Sequence, residues 1–141
     1  MTTRWRTKHC WAPQRLPLSP SELLQHFIEL APAFESQWQS EHNCHRDEGG
    51  SFTLHGVCAE FSVYFRHNLE SFPPEILTCL FAFIESHVAD PDNADSTSID
   101  NALCTCFLEN IASEPSGETA KPFMGANSRA YFDQWHHPSA T

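Results

Sequence analysis

The chain has 141 residues, 40% of them hydrophobic with Phe alone at 11 positions, so one domain with its own core is expected and wholesale disorder is excluded. Net charge is −10 with His neutral, unevenly spread: Arg4, Arg6, Lys8 and Arg15 precede any acid, and the body beyond them carries 18 acids against four Lys/Arg, a net of −14. That balance argues against nucleic acid or an anionic membrane as partner and favours a basic protein, although acidity also serves plain solubility.

Residues 1–19 read as an irregular N-terminal arm, broken by Pro13 and Pro17 and carrying Trp5 and Trp11. Ser19 or Ser21 can cap a first helix opened by Pro20, whose inner face is Leu23, Leu24, Phe27, Ile28 and Ala31. Pro32 removes a donor and crowds the carbonyl of Ile28, which predicts a kink or a break. Phe34 and Trp38 extend the stripe to about His45, and Asp47-Glu48-Gly49-Gly50 forms a loop.

A second long helix is expected from about Phe52 to Leu69, with Leu54, Val57, Cys58, Phe61, Phe65 and Leu69 on one face. Gly56 weakens it by roughly 1 kcal/mol against Ala, a cost that close approach of another helix would explain. Pro73-Pro74-Glu75 opens the next helix, with Ile76, Leu77, Leu80, Phe81, Ile84 and Val88 inward. Phe83 lies off that stripe, so this helix is expected to be covered on two sides. Thr97 or Ser98 can cap a helix through Ile99, Leu103, Cys106, Phe107 and Asn110, stopped by Glu114-Pro115-Ser116-Gly117. A polar loop to Pro122 follows, then a last helix from Asn127 or Ser128 through Tyr131 and Trp135, with Met124 as a staple. The fold class is therefore all-α: a compact bundle or short stack of antiparallel helical hairpins with five to six helices, as one domain over residues 20–137 and a tail at 138–141.

Six Cys occur without a secretory signal or a run long enough to span a membrane, which points to reduced, mostly buried thiols in a cytoplasmic protein. Cys104 and Cys106 cannot chelate together on an α-helix, where residues two apart point about 200° apart. His42, Cys44 and His45 are better spaced but lack a second pair nearby, unless folding brings His136 and His137 to them. Cys58, Cys79 and Cys106 sit on apolar stripes, where a thiol is usually a small hydrophobe. Ser51, Ser62 and Ser71 have no nucleophile-elbow context. No catalytic residue, cofactor or metal ligand is assigned, and the chain is expected not to be an enzyme.

Polar residues beside the core need partners. His55, Glu60, Glu109 and Asn110 are read as such a structural polar core, with Glu60 or Glu109 reaching His55, Tyr64, Arg66 or a helix end. Partner contact is expected on the acidic loops, through Asp90, Asp92, Asp95, Asp100, Glu114 and Glu118.

The strings His55-Gly56-Val57-Cys58-Ala59-Glu60-Phe61, Phe83-Ile84-Glu85, Asn101-Ala102, Cys106-Phe107-Leu108-Glu109-Asn110 and Gly125 to Phe132 resemble a family of small all-helical bacterial proteins. The resemblance runs from about Ser21 to Trp135, and the Cys-Phe-Leu-Glu-Asn string is its most specific part. It implies an immunity protein of a polymorphic or contact-delivered toxin system; with the acidic charge, the expectation is that it neutralises a cognate, basic toxin domain by occluding its active site or substrate surface. The basic, Trp-containing arm departs from the family core. The alternatives are a helical adaptor or regulatory module unconnected with toxins, and a small metal-binding protein or enzyme.

Overall fold

The computed structural model describes residues 19–88, 99–112 and 115–135. The expected arm, apart from Ser19, and the expected tail lie outside them. Seven α-helices and no strand occur among the described residues, one or two helices more than expected.

Helix α1 spans Pro20–Leu30. Ser19 caps it with a full capping box: the Glu22 N–H donates to Ser19 Oγ at 3.1 Å and the Ser19 N–H to Glu22 Oε1 at 2.8 Å. The chain breaks at Pro32, and the short α2 follows at Phe34–Trp38. It does not continue to His45 as the apolar stripe suggested. Side chains take over the backbone groups that further helix would use: Asn43 Nδ2 donates to the Trp38 carbonyl at 2.9 Å, and the His42 N–H donates to Ser40 Oγ at 3.0 Å.

Helix α3, Leu54–His67, is the central element, capped by Thr53 and packed against α1, α2 and α5. Its buried residues Val57, Cys58, Glu60, Phe61, Ser62, Tyr64 and Phe65 form a face wider than one stripe, while His55, Ala59, Val63 and Arg66 on the remaining side are half-buried. Helix α4, Pro74–His87, buries Phe83 as well as Leu77, Leu80, Phe81 and Ile84, so it is covered on two sides.

Helix α5 begins as Ile99–Leu103, passes through a π-helical segment at Cys104–Leu108 and ends as Glu109–Ala112. In the widened turn the Glu109 N–H donates to the Cys104 carbonyl, five residues back. Side chains supplement the carbonyl pairing around it, Thr105 Oγ1 donating to Asn101 O at 2.9 Å and Asn110 Nδ2 to Cys106 O at 2.8 Å. The stretch from Pro115, expected to be a loop, is helix α6, Pro115–Ala120. Gly117 acts there as a packing residue, not as a stop: a Cβ on it would lie 2.6 Å from the Ile111 carbonyl oxygen.

Helix α7 spans Ala126–Trp135. Its start is held from α4 and not by its own Asn or Ser. Glu85 accepts the N–H groups of Asn127 and Ser128, both at 2.9 Å, and the Ser128 hydroxyl at 2.7 Å. An anion here also meets the positive end of the helix. Glu85→Ala is expected to cost about 2 kcal/mol, from a lost cap and charge-assisted bonds. Chemical denaturation checks this, and a loss under about 0.5 kcal/mol would show that water replaces the carboxylate at no penalty.

One hydrophobic cluster joins these elements, from Leu23 and Phe27 through Phe61 and Phe107 to Phe132. Met124, the expected staple, is buried in it. No helix among the described residues is long and apolar enough to cross a membrane. Cys44, Cys58, Cys104 and Cys106 are free thiols, whereas Cys79 is disulfide-bonded, which corrects the expectation of wholly reduced thiols.

Candidate functional site

Four polar contacts bind the central helices to their surroundings, and the residues singled out in the sequence take part in all of them. Glu60 lies midway along α3 among apolar neighbours and is 9% exposed. Its two carboxylate oxygens have separate partners: Gln37 Nε2 donates to Oε2 at 2.7 Å and His45 Nδ1 meets Oε1 at 3.0 Å. Neither partner was among those expected, and neither spacing, 23 or 15 residues, carries a local signal. The His45 side chain stays about one third exposed (31%) while its Nδ1 is held by Glu60. Gly56 permits the loop to lie here, since a Cβ on it would be 3.2 Å from His45 Cβ and from the His45 carbonyl. The close approach at Gly56 is thus by the loop after α2, not by another helix.

His55 Nε2 lies 2.8 Å from Asn101 Oδ1, joining α3 to α5. Asn110 Nδ2 donates to Ser62 Oγ at 3.2 Å across the same pair of helices. Tyr131 of α7 donates its hydroxyl to Glu109 at 3.0 Å. Burial and the Glu109 carboxylate both hold that hydroxyl above its ordinary titration range.

A carboxylate-held imidazole can serve as a general base or lie behind a metal. No group of three or more His, Cys, Asp or Glu side chains able to hold a metal occurs among the described residues. His45 spends Nδ1 on Glu60, and Cys44 is an exposed free thiol. Burial pushes the Cys58 thiol well up, with Cys106 and Cys104 adding to it. Burial and then Asp100 push Cys104 up to about 12. These two thiols are protonated hydrophobes and not nucleophiles.

The acidic residues are distributed differently from expectation. Asp90, Asp92, Asp95 and Glu114 lie outside the described residues. Glu118 is exposed on α6. Asp100, expected at a surface, is 9% exposed and accepts the Cys104 thiol at 3.7 Å. Exposed acids line the first third of the fold instead: Glu22 and Glu29 on α1, Glu35 on α2, then Glu41, Asp47 and Glu48. The basic groups are largely engaged locally. Arg46 and Arg66 each donate to a carbonyl at 3.2 Å, of Ser40 and Ser62 respectively, and Lys121 pairs with Asp133 at 3.3 Å.

A family model described as a domain of unknown function (DUF7674) matches residues 21–138. No curated protein and no solved structure matches the chain.

Proposed function

We propose that this chain, which belongs to the DUF7674 family, is a binding protein that neutralises a basic partner by covering its working surface, and that the partner is a cognate bacterial toxin domain. The observation that carries this reading is the outward field of α1, α2 and the loop after them. Glu22, Glu29, Glu35, Glu41, Asp47 and Glu48 are exposed there, while Arg46, the basic residue of that region, donates to the backbone. Charges placed this way speed encounter with a basic surface and make the rate salt-dependent. The polar contacts of α3 and α5 support the same reading from the other side, because their side chains are committed to one another.

The toxin part of this reading comes from the family resemblance, and co-expression with whatever toxin domain the neighbouring reading frame encodes tests it. Protection of the cell and co-purification are expected. Glu22→Lys, Glu29→Lys and Glu35→Lys together are expected to slow association by about ten-fold or more at low salt, with a smaller effect at high salt. An unprotected cell and no complex would remove the toxin from the reading. A complex whose association rate ignores both salt and these charges would remove the acidic face.

A further inference from the structure

The mechanism of binding makes no use of two histidines that lie inside the fold. His26 of α1 lies over Phe83 of α4, with ring centroids 4.0 Å apart and planes inclined by 26°. One turn further along α4, His87 meets the same phenyl ring at 4.8 Å and 60°. Phe27, next to His26, also contacts Phe83 edge-on at 6.2 Å. The three rings thus form a stack between α1 and the end of α4. His87 is 5% exposed and, among the described residues, neither of its ring nitrogens has a hydrogen-bond partner. His26 Nε2 is likewise buried without one.

A neutral imidazole behaves here as an aromatic ring. An imidazolium does not, because it must satisfy two N–H groups and a positive charge. Among the described residues, the charged surroundings offer little to it. From α5, Asp100 attracts a charge on His87, but its carboxylate also holds the Cys104 thiol. From α1, Glu22 and Glu29 are exposed, and α2 contributes the exposed Glu35. From α3, Glu60 is taken by Gln37 and His45. Glu85 of α4 itself is committed to α7, and Asp133 of α7 pairs with Lys121. The face of Phe83 attracts a cation, but it cannot replace the hydration of two imidazolium rings.

We propose that the stack of His26, Phe83 and His87 is an acid-sensitive fastening that holds α1 on the bundle at neutral pH and releases it on acidification. Burial, and next the charge His87 would carry, lower the pKa of His26 from 6.5 to about 4. Burial lowers that of His87, with Asp100 opposing in part. Both groups therefore bind a proton more readily when α1 is undocked. The docked form is fully favoured above about pH 6.5 and loses that advantage as pH falls toward about 4. For His26 alone, a ten-fold effect per pKa unit makes the change roughly 300-fold in the docking equilibrium.

Hydrogen exchange followed by mass spectrometry, corrected for the intrinsic pH dependence of exchange, tests this on the whole chain. Between pH 7 and 4.5, protection of α1 is expected to fall at least ten-fold more than that of α3. His26→Phe and His87→Phe keep a ring in each place and are each expected to reduce the fall, and together to abolish it. Asp100→Asn removes the favourable charge and is expected to deepen it. His26→Phe alone, at a half-buried position, decides the matter if the double variant does not fold. An unchanged profile in that variant, or equal loss of protection in every helix, would overturn the proposal.

Discussion

Phe61→Ala is expected to lower stability by about 3–5 kcal/mol, a large part of the 5–15 kcal/mol typical of a domain. Phe61 is fully buried at the middle of α3 and its ring meets five others. It stacks on Phe27 of α1 at 4.0 Å and lies 5.7 Å from Phe107 in the π segment of α5. Phe34 approaches edge-on at 5.0 Å and Phe72 at 6.2 Å. Truncation therefore opens a cavity where α1, α2, α3 and α5 meet, and rings held on separate helices cannot all move in to close it. Thermal unfolding is expected to shift down by roughly 10–20 °C for a chain of this size. A measured loss under about 1.5 kcal/mol would mean that the cluster can repack around the gap.

Replacement of Gly117 by Ala is the second large effect, and its sign is the informative part. Propensity alone favours Ala over Gly within a helix by about 1 kcal/mol. The surroundings oppose it. The new Cβ would lie 2.6 Å from the Ile111 carbonyl oxygen, 3.0 Å from Phe132 Cζ and 3.2 Å from the Ala112 carbonyl oxygen. Two of these three atoms are backbone at the end of α5, so relief requires α6 to move away from α5 and α7. Overpacking of this kind costs about 1–3 kcal/mol, enough to reverse the propensity gain. Gly56→Ala is the comparison: its nearest contacts are 3.2 Å, so the gain and the crowding should nearly cancel. Urea denaturation of the two variants side by side should show Gly117→Ala clearly less stable than Gly56→Ala. Equal stabilities would mean that α6 shifts freely.

Several elements were legible because their cause lies within a few residues. Ser19, Pro20 and Glu22 specify a start, and the structure has the capping box there. Pro32 predicts an interruption wherever it is placed in a helix, and α1 ends at Leu30. Other inferences failed where local and tertiary causes diverge. Phe34 and Trp38 continue an apolar stripe, but Asn43 binds the last carbonyl of the helix, at Trp38, and Ser40 takes the His42 N–H just beyond it. The string Glu114-Pro115-Ser116-Gly117 has the composition of a helix stop, whereas the role of Gly117 is to let α6 lie against a carbonyl of α5. Asp100 looked like a surface charge because acids usually are, and it is buried beside Cys104.

The candidate sites divide in the same way. That Glu60 and Glu109 need partners follows from an acid set beside Phe61 or Phe107, since a buried carboxylate without hydrogen bonds is too costly. Which partners they find could not be read. Gln37, His45 and Tyr131 lie 15 to 23 residues away, and the cap that Glu85 places on α7 spans more than 40. The stack of His26 on Phe83 links helices that have no neighbouring sequence in common.

From the sequence alone come the all-helical class, the interruption at Pro32, the apolar faces of α1 and α4 and the excess of acid, because each depends on spacing within one helix or on simple counting. Only the tertiary structure decided that the buried face of α3 extends to Glu60, Ser62 and Tyr64, that the helix at Cys104 widens into a π turn, and which polar groups meet. Those outcomes depend on side chains from separate helices competing for the same space and the same hydrogen bonds, and no local period records that competition.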